Sequence, residues 1–411
     1  MPSKIKLTGP KRTLISIISL LIVIAVAGLI LRTERNRHKP AGARNTILTE
    51  VPVSALPLSS SPQDIAGLKR AVKRTLHCMK DMSDSRTISW AGGTVTAGCL
   101  KDTLRAFLTI LGQNLSVREF KERLSAKFRL YRVTRCGPES PASNRPVLFT
   151  GYFQPELPAS TERNRDFTYP IYGVPDDLLK IDLKLFSQTL PPITLYGRVA
   201  GRQVLPYYTR EEIDGGSITL PAPVLAWLAS PVDGLMLHIQ GSGLLKFANG
   251  DRRYIHFAAS NGHPYGSLGR WLIKKGWLSP EDADWPGIRQ WAYTHPQQFR
   301  QALGANPRYI FFRWEERGPV GSLGAVLVPM RSVALDTGLF PAGALCFIDV
   351  PQVHVTGKDT SGLRRFVLNQ DRGNAIKGAC RVDIYCGEGK KAGEMAGKLR
   401  HRGDMYILIK K

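Results

Sequence analysis

The chain has 411 residues, of which 43% are hydrophobic, and this apolar content is enough to bury a core in two folded domains. A chain that is disordered throughout is therefore excluded. Lys and Arg total 57 against 33 Asp and Glu, so the net charge of +24 predicts attraction to a polyanionic surface without saying which one.

The first predicted element is an apolar stretch at residues 13–31 (TLISIISLLIVIAVAGLIL) that carries no charge. Its length is close to the roughly 20 residues that a helix needs to cross a bilayer, which predicts a transmembrane anchor behind a basic cytoplasmic N-terminus at 1–12. A cleaved signal peptide is the competing interpretation, because Ala25-Val26-Ala27 is typical of a cleavage site. Either interpretation exports the rest of the chain.

A folded body is predicted after a polar, proline-punctuated segment at 32–60, which is typical of a flexible linker. One amphipathic helix begins at Ser61-Pro62, an N-cap followed by proline at the first helical position. A second helix begins with the capping box at 116–119 (SVRE). The apolar faces consist of Leu68, Val72 and Leu76 in the first helix and of Phe120, Leu124 and Phe128 in the second.

Short apolar runs broken by Gly and Pro follow Cys136 and predict strands. Helical patterns interrupt them at 266–275, 286–303 and 391–399, so the predicted class is mainly β with α (α+β). The predicted strands cover 147–153, 170–174, 235–239, 309–312, 345–350, 365–368 and 405–409.

The six cysteines of an exported body are expected to favour disulfides over metal thiolates. Up to three bridges can form, and the sequence leaves their pairing open. No two cysteines form a CxxC pair, so no metal site is predicted, and some of them can instead serve as small buried hydrophobic residues. They are Cys78, Cys99, Cys136, Cys346, Cys380 and Cys386.

The usual motifs of several enzyme classes are absent from the sequence. It contains no GxSxG, Walker, HExxH or strand-associated GxGxxG signature, so nucleotide-dependent and metalloprotease chemistry lose support. The triplet Gly241-Ser242-Gly243 follows a strand-like run at 236–239 and could cradle a ligand with its backbone amides. Such a triplet is more often a tight turn, so by itself it does not indicate a ligand site.

Three aspartates follow strand-forming stretches near the C-terminus: Asp336, Asp371 and Asp383. If those stretches are neighbouring strands, their ends bring three carboxylates together, and crowded like charges raise at least one pKa toward that of a general acid. The alternative is that Asp336 and Asp371 cap turns, while Asp383 pairs with Lys377 or Arg381.

A series of short motifs runs through residues 145–411. They are 150–156 (TGYFQPE), 196–198 (YGR), 205–213 (LPYYTREEI), 238–243 (HIQGSG), 260–265 (SNGHPY) before Gly269-Arg270, 318–321 (GPVG), 371–378 (DRGNAIKG), and the Ala-Gly pairs at 392–393 and 396–397. In this order they resemble the membrane-bound lytic murein transglycosylase A family, whose C-terminal part is named for three such aspartates.

The resemblance implies a double-psi β-barrel catalytic domain, formed by residues 61–154 and 316–411, that is interrupted by a smaller β-rich domain at 155–315. It also implies that a glycan lies in the groove between the two domains. Grooves between domains are common ligand sites, so the implied architecture suits an extended polymer.

The reaction that the resemblance implies is cleavage of the β-1,4 bond between N-acetylmuramic acid and N-acetylglucosamine, with formation of 1,6-anhydromuramyl ends. The implied enzyme is a peptidoglycan lytic exotransglycosylase, a lyase that acts on polysaccharide without a cofactor. The motifs place the catalytic acid/base on Asp383, with Asp371 and Asp336 as supporting carboxylates. Positions that match substrate-groove motifs are Thr150, Gln240, Gly241, Ser242 and Lys377.

The sequence departs from the family pattern at three places: Arg372 occupies a variable position, Asn374 replaces a glycine, and Gln154 replaces a common glutamate. None of these changes removes a catalytic carboxylate. A cationic Arg372 is expected to lower the pKa of the acids beside it. Asn374 keeps the turn feasible, because Asn tolerates left-handed backbone better than other residues with a side chain.

The expected partners are peptidoglycan glycan strands and the inner membrane, reached through the segment at 13–31, with the catalytic body in the periplasm. Other cell-wall enzymes are further candidate partners. Nucleic acid is not an expected partner, because export separates the basic chain from it. Two competing functions remain: a non-catalytic peptidoglycan-binding protein, and a glycan hydrolase that uses water.

Overall fold

The computed structural model describes residues 47–58, 64–136, 146–216, 218–351 and 362–411, which all lie within one unit of the fold, Thr46–Lys411. The predicted segments 1–12 and 13–31, the first part of the linker and the Ser61-Pro62 helix start lie outside these ranges. Within the described ranges, no helix combines the length and the apolar character needed to cross a membrane.

The described residues form a mixed α and β fold that is mostly β. The strands are β1 Leu48–Val51, β2 Thr87–Trp90, β3 Gly93–Thr96, β4 Phe128–Val133, β5 Val147–Gln154, β6 Glu156–Ser160, β7 Tyr169–Tyr172, β8 Leu179–Asp182, β9 Thr194–Ala200, β10 Gln203–Pro206, β11 Val224–Leu228, β12 Ser242–Phe247, β13 Arg252–Ser260, β14 Ile310–Glu315, β15 Ser332–Ala334, β16 Leu345–Val350, β17 Leu363–Asp371, β18 Arg381–Glu388 and β19 Arg400–Lys410. The helices are α1 Ile65–Cys78, α2 Ala97–Leu111, α3 Val117–Lys127, α4 Arg210–Asp214, α5 Pro231–Gln240, α6 Leu268–Lys274, α7 Trp285–Thr294, α8 Pro296–Leu303 and α9 Gly389–Lys398, with short 3-10 helices at Val53–Ala55 and Leu183–Leu185.

Helices α1 and α3 confirm the two predicted amphipathic helices. The described part of α1 is capped by Asp64, whose side chain accepts a hydrogen bond from the Gly67 backbone at 2.9 Å. Helix α3 has the predicted capping box, in which Ser116 and Glu119 satisfy each other's backbone N–H groups. Helix α2 was not predicted, although Thr96 caps it through a bond from the Cys99 N–H.

The largest sheet has eight strands in the order β1-β4-β19-β16-β17-β15-β18-β5. Strand β5 also pairs with β19, so the hydrogen-bond ladder from β19 through β16, β17, β15, β18 and β5 returns to its starting strand. Alternate residues of these strands point into one large apolar core, against which α1, α2 and α3 pack. Phe107 of α2 lies at the centre of that contact, with its ring 4.9 Å from the Phe366 ring of β17.

A second sheet has six strands in the order β14-β13-β12-β6-β11-β7, and a small sheet has the order β10-β9-β8. The six-stranded sheet has its own apolar cluster, which includes Leu157, Ile171 and Phe312. Strand β6 of this sheet follows β5 of the large sheet after the single residue Pro155. The two sheets are therefore joined at a short connection, and this connection lies beside the groove described below.

The predicted strand at 235–239 is wrong, because these residues belong to helix α5. Ser230 caps the helix, Pro231 occupies its first turn and Gly241 ends it in the left-handed conformation with φ 75°. The run from Gly234 to His238 is buried on every side, so it lacks the 3.6-residue alternation that marks a helix in contact with solvent. Gly241 is thus a helix C-cap and not a turn after a strand.

The predicted helix at 286–303 consists of two helices, α7 and α8, which meet at His295. Pro296 starts α8, since proline lacks the N–H that would continue α7 and is favoured in a first helical turn. The predicted helices at 266–275 and 391–399 correspond to α6 and α9. The predicted strand at 345–350 has the same bounds as β16, and those at 309–312, 365–368 and 405–409 correspond to the longer strands β14, β17 and β19.

One disulfide forms, between Cys136 after β4 and Cys380 before β18. The Cys136 carbonyl also accepts a hydrogen bond of 3.2 Å from the Ala379 N–H. The remaining cysteines are free thiols, and two of them, Cys346 and Cys386, are buried as small apolar residues. The disulfide holds the beginning of β18 near the end of β4, so it fixes the entry to the strand that carries Asp383.

Candidate active site

Two of the three predicted aspartates lie on strands that flank β15. Ala334 of β15 pairs in register with Asp371 of β17 on one side and with Asp383 of β18 on the other. Asp383 pairs in turn with Thr150 of β5 in a parallel ladder. The neighbours of Asp383 along β18, Val382 and Ile384, are buried in the large core, so the alternation of the strand turns Asp383 to the opposite face.

Asp383 is a partly buried carboxyl with one direct side-chain partner. The Thr150 hydroxyl donates a hydrogen bond of 2.6 Å to its Oδ1 atom. Burial raises the pKa of Asp383 from 3.8 to about 6, with a smaller upward effect from the charge of Asp371. The Thr150 bond and the charge of Arg381 act in the opposite direction. At pH 6 about half of the Asp383 side chains therefore carry a proton, which is the state that a general acid needs.

Asp371 is held by three hydrogen-bond donors. Its Oδ1 atom accepts from the backbone N–H groups of Ser322 at 2.9 Å and Arg372 at 2.8 Å, and its Oδ2 atom accepts from the Tyr152 hydroxyl at 2.9 Å. Burial raises the pKa of Asp371, and these three bonds counteract it. Arg372 lowers the pKa of Asp371 through its backbone N–H, whereas the sequence had predicted an effect of its charge. Burial outweighs this bond, so the pKa of Asp371 is raised overall.

Asp336 binds backbone N–H groups of two loops. It lies in the loop after β15, where Oδ2 accepts from the Gly378 N–H at 2.8 Å and Oδ1 accepts from the Gly338 N–H at 3.1 Å. Among the described residues that line the groove, Asp371 and Asp383 are present and Asp336 is not. The predicted electrostatic coupling is present between Asp371 and Asp383, since the charge of Asp371 raises the pKa of Asp383, while Asp336 ties its own loop to the loop before β18.

A groove of about 650 Å³ opens beside Asp383. One wall comes from the large sheet and its loops, including Tyr152, Asp371 and Asp383, and the other from helix α5 and strands β13 and β14, including Gln240 and His256. The size falls within the range of small-molecule sites, and the groove's two walls come from different sheets.

The predicted groove residues differ in their positions. Gln240, Gly241 and Ser242 line the groove, whereas Thr150 acts through its bond to Asp383 and Lys377 is exposed outside the described lining. Gln240 also accepts a bond from the Phe153 N–H at 3.2 Å. The C-terminus of α5 is thereby fastened to β5, next to the strand that carries the acid.

The positions of two tyrosines beside the groove carboxylates were not predicted from the sequence. Tyr152 holds Asp371, and the buried Tyr385 lies beside it, with ring centroids 5.4 Å apart. Each tyrosine stands two residues after a predicted site residue on the same strand, Thr150 and Asp383, and alternation puts residues i and i+2 on one face. That spacing was the signal available in the sequence.

His238 does not supply a base. Its Nδ1 atom accepts from the Ile310 N–H at 3.1 Å and lies 3.1 Å from a guanidinium nitrogen of Arg210. Burial, with a further contribution from the Arg210 charge, lowers the pKa of His238 well below its usual range. In the described part of the chain, no group of His, Cys, Asp and Glu side chains is arranged to hold a metal ion. The chemistry available in the groove is proton transfer by Asp383.

Family models match the two parts of the chain that build this groove. The model of the MltA specific insert domain matches residues 148–313, and the model of the 3D domain matches residues 331–409. The first match contains the wall formed by α5, β13 and β14. The second contains Asp336, Asp371 and Asp383.

Individual proteins with similar sequences or structures agree with these family matches. The chain is 34% identical over 266 residues to membrane-bound lytic murein transglycosylase A of Escherichia coli (strain K12), an alignment that covers 64% of this chain and 65% of that protein. The structure is similar to that of a membrane-bound lytic murein transglycosylase from Agrobacterium tumefaciens, with 29% identity, a TM-score of 0.74 and coverage of 88% and 97% of the two chains. It is also similar to MltA from Neisseria gonorrhoeae, with 30% identity, a TM-score of 0.71 and coverage of 90% and 94%.

Proposed function

This chain belongs to the membrane-bound lytic murein transglycosylase A family, and from that membership we propose that it cleaves the β-1,4 bond between N-acetylmuramic acid and N-acetylglucosamine in peptidoglycan. The products carry 1,6-anhydromuramyl ends, and the enzyme is a lyase that acts on polysaccharide. One observation carries the proposal: Asp383 lines the groove, accepts a hydrogen bond only from Thr150 among the described side chains, and has its pKa raised to about 6.

The first step is protonation of the leaving group. Asp383 in its neutral form donates its proton to the oxygen that bridges the two sugars, and the C1–O4 bond breaks as C1 gains oxocarbenium character. The raised pKa supports this role, because an ordinary aspartic acid would be almost fully ionised at neutral pH.

The second step forms the anhydro ring. The Asp383 carboxylate accepts the proton of the C6 hydroxyl of the muramyl residue while the O6 atom attacks C1. Asp383 returns to its neutral form, so the cycle closes with no net gain or loss of protons and without water. The Thr150 hydroxyl, 2.6 Å from Oδ1, stabilises the carboxylate that exists between the two steps.

The hydrogen bonds of Asp371 favour a lyase over a hydrolase. A hydrolase needs a second carboxylate that acts as nucleophile or activates water. Asp371 is the other groove-lining carboxylate, and both of its oxygens accept bonds from Ser322, Arg372 and Tyr152. Its role in the proposal is to hold the loop beneath the groove and to raise the pKa of Asp383.

The proposed architecture assigns residues 61–154 and 316–411 to a double-psi β-barrel and residues 155–315 to an inserted domain. The closed ladder of β5, β15, β16, β17, β18 and β19 supports the barrel, and the position of the insert-domain match supports the division. Gln240, Gly241 and Ser242 would contact sugar hydroxyl and N-acetyl groups from the inserted domain, opposite Asp383.

We further propose that the chain is held at the inner membrane by residues 13–31, with the body in the periplasm. The apolar length of that segment and the membrane-bound character named for its relatives support this location. Alkaline extraction of membranes from cells that express the chain tests it. An anchored chain stays in the membrane pellet, whereas a chain with a cleaved signal peptide is released.

Digestion of purified peptidoglycan by the full chain, followed by mass spectrometry, tests the proposed reaction. Anhydromuropeptides are the expected products. Reducing muramyl ends would instead identify a hydrolase, and sacculus binding without release of fragments would identify a wall-binding protein.

A further inference from the structure

The groove has an excess of cations in its lining. Its described lining holds two carboxylates, Asp371 and Asp383, and neither lysine nor glutamate. The arginines in the same lining are Arg210, Arg308, Arg313, Arg372 and Arg381. A neutral glycan requires no such surplus of guanidinium groups.

Two of these arginines already have acidic partners. Arg210 forms a salt bridge with Asp214 at 3.4 Å, and Arg313 forms one with Glu315 at 3.0 Å. Arg381 stands two residues before Asp383, and its charge lowers the pKa of that acid. These three are accounted for by their neighbours.

Arg308 and Arg372 remain. Neither forms a salt bridge with any carboxylate in the described parts of the chain. Arg308 is partly buried and donates to the His263 carbonyl at 3.3 Å, and burial lowers its pKa. Arg372 is exposed and follows directly after Asp371, on the opposite wall of the groove.

The exposed Arg372 keeps its hydration, whereas the partly buried guanidinium of Arg308 has lost part of its hydration shell without gaining a carboxylate partner among the described residues, and it is destabilised until an anion binds. Its planar, forked donors match a carboxylate, which can accept two parallel hydrogen bonds from it. The chemistry of the two side chains therefore selects a carboxylate over a hydroxyl or an acetamido group.

We propose that Arg308 and Arg372 bind carboxylates carried by the muramyl residues of the glycan, so that the groove prefers acidic glycan over neutral glycan. This inference rests on the proposed function, since it assumes that the groove holds peptidoglycan. The carboxylate has two possible sources: the free lactyl group of a muramyl residue without a peptide, and the acidic residues of an attached stem peptide.

Equilibrium binding tests the inference separately from catalysis. The full chain carrying Asp383→Asn is titrated with a neutral N-acetylglucosamine hexamer, with peptide-free muramyl oligosaccharide and with stem-bearing oligosaccharide of equal length. We expect the acidic ligand to bind at least about tenfold more tightly than the neutral hexamer, as one charge-assisted pair of about 1.4 kcal/mol provides. Preference for the peptide-free ligand alone identifies the lactyl carboxylate, because the lactyl carboxyl of a stem-bearing residue is an amide. Preference for the stem-bearing ligand alone identifies the stem peptide, and preference for both shows that the arginines accept a carboxylate from either source.

The arginine variants make the assignment specific. Arg308→Gln or Arg372→Gln, each added to Asp383→Asn, is expected to weaken binding of the acidic ligand about tenfold and to leave the neutral hexamer unchanged. Arg70→Gln is the matched control, because it removes one positive charge from the exposed face of α1. Thermal unfolding of each variant identifies any that has lost its fold.

Equal affinity of the chain for all three ligands overturns the inference. So does a loss of affinity in the arginine variants that is as large for the neutral hexamer as for the acidic ligand. Absence of any glycan binding also overturns it. The proposed reaction fails by a different result, the absence of anhydro ends from the parent enzyme, so the two failures are distinguishable.

Discussion

Thr150 and Asp383 are register partners across the parallel β5–β18 ladder, and the Thr150 hydroxyl donates a 2.6 Å hydrogen bond to Oδ1 of Asp383. This bond favours the ionised acid, while burial favours the neutral acid by a larger amount. The pKa of about 6 is the balance of the two. A group that must give a proton and then accept one is served by a pKa close to the working pH.

Replacing Asp383 by Asn should abolish turnover and leave the fold and glycan binding intact. The amide has nearly the same shape but cannot exchange the required proton, and loss of a general acid/base costs about 10²- to 10⁴-fold in rate. Release of anhydromuropeptides from sacculi measures the effect. Asp81→Asn is the control, since Asp81 is an exposed carboxyl outside the groove lining. Parent-level release by Asp383→Asn would exclude the proposed mechanism.

The same variant should be more stable than the parent at neutral pH. The pKa of Asp383 is about 6 in the folded state against about 3.8 in an unfolded chain, so the folded state binds more protons between these values. The stabilisation that Asp383 gives the folded state is therefore present in full below pH 3.8 and is lost as the pH rises through about 6. The Tm difference between Asp383→Asn and parent is therefore expected to be positive at pH 7.5 and to shrink toward pH 4. A difference that does not depend on pH would mean that the pKa is not raised.

Thr150→Val should shift the alkaline limb of the pH–activity profile to higher pH. The hydroxyl bond lowers the pKa of Asp383, so its removal raises that pKa further and keeps the acid protonated to a higher pH. Thr150→Ser retains a hydroxyl and should leave the limb close to that of the parent. Initial rates of anhydromuropeptide release across the pH range give the comparison. A shift to lower pH in the valine variant would contradict the assigned direction of the bond.

Asp336→Ala should destabilise the protein by about 1–3 kcal/mol, because the backbone N–H groups of Gly378 and Gly338 lose their acceptor. Urea unfolding measures this loss, which should be smaller for Asp336→Asn because the amide oxygen can still accept one bond. The alkaline limb of the activity profile should stay in place, since Asp336 is not among the groups that shift the pKa of Asp383. A shift of that limb would instead show that the charge of Asp336 acts directly on the pKa of Asp383.

Gly241→Ala should cost about 1 kcal/mol of stability, because φ is 75° at this helix C-cap and a side chain disfavours that conformation. No heavy atom lies within 4 Å of the position of the added Cβ, so the loss reflects backbone strain and not a clash. Gly241→Asn should lose less, since Asn tolerates left-handed backbone. If the Gly241→Ala variant and the parent unfold at the same urea concentration, the backbone strain assigned to this position is wrong.

Local signals predicted the elements whose stabilising contacts are close in sequence. The capping box of α3 spans 116–119, and its side-chain bonds lie within that turn, so the helix start could be read directly. Helix α5 was misread because its middle is buried on every side and its periodicity is hidden. Helix α2 was not predicted, although Thr96 supplies a cap.

For the active site, the sequence alone indicated the family, predicted Asp383 as the acid/base and placed Asp371 and Asp383 next to strand-forming stretches. Only the tertiary structure decided that Asp336 binds the Gly378 N–H and that Thr150 and Tyr152 are the partners of the two groove carboxylates. The bonds of Thr150 and Tyr152 join residues separated by 233 and 219 positions. Strand register and burial across such distances depend on how whole sheets pack, and no local pattern of residues encodes them.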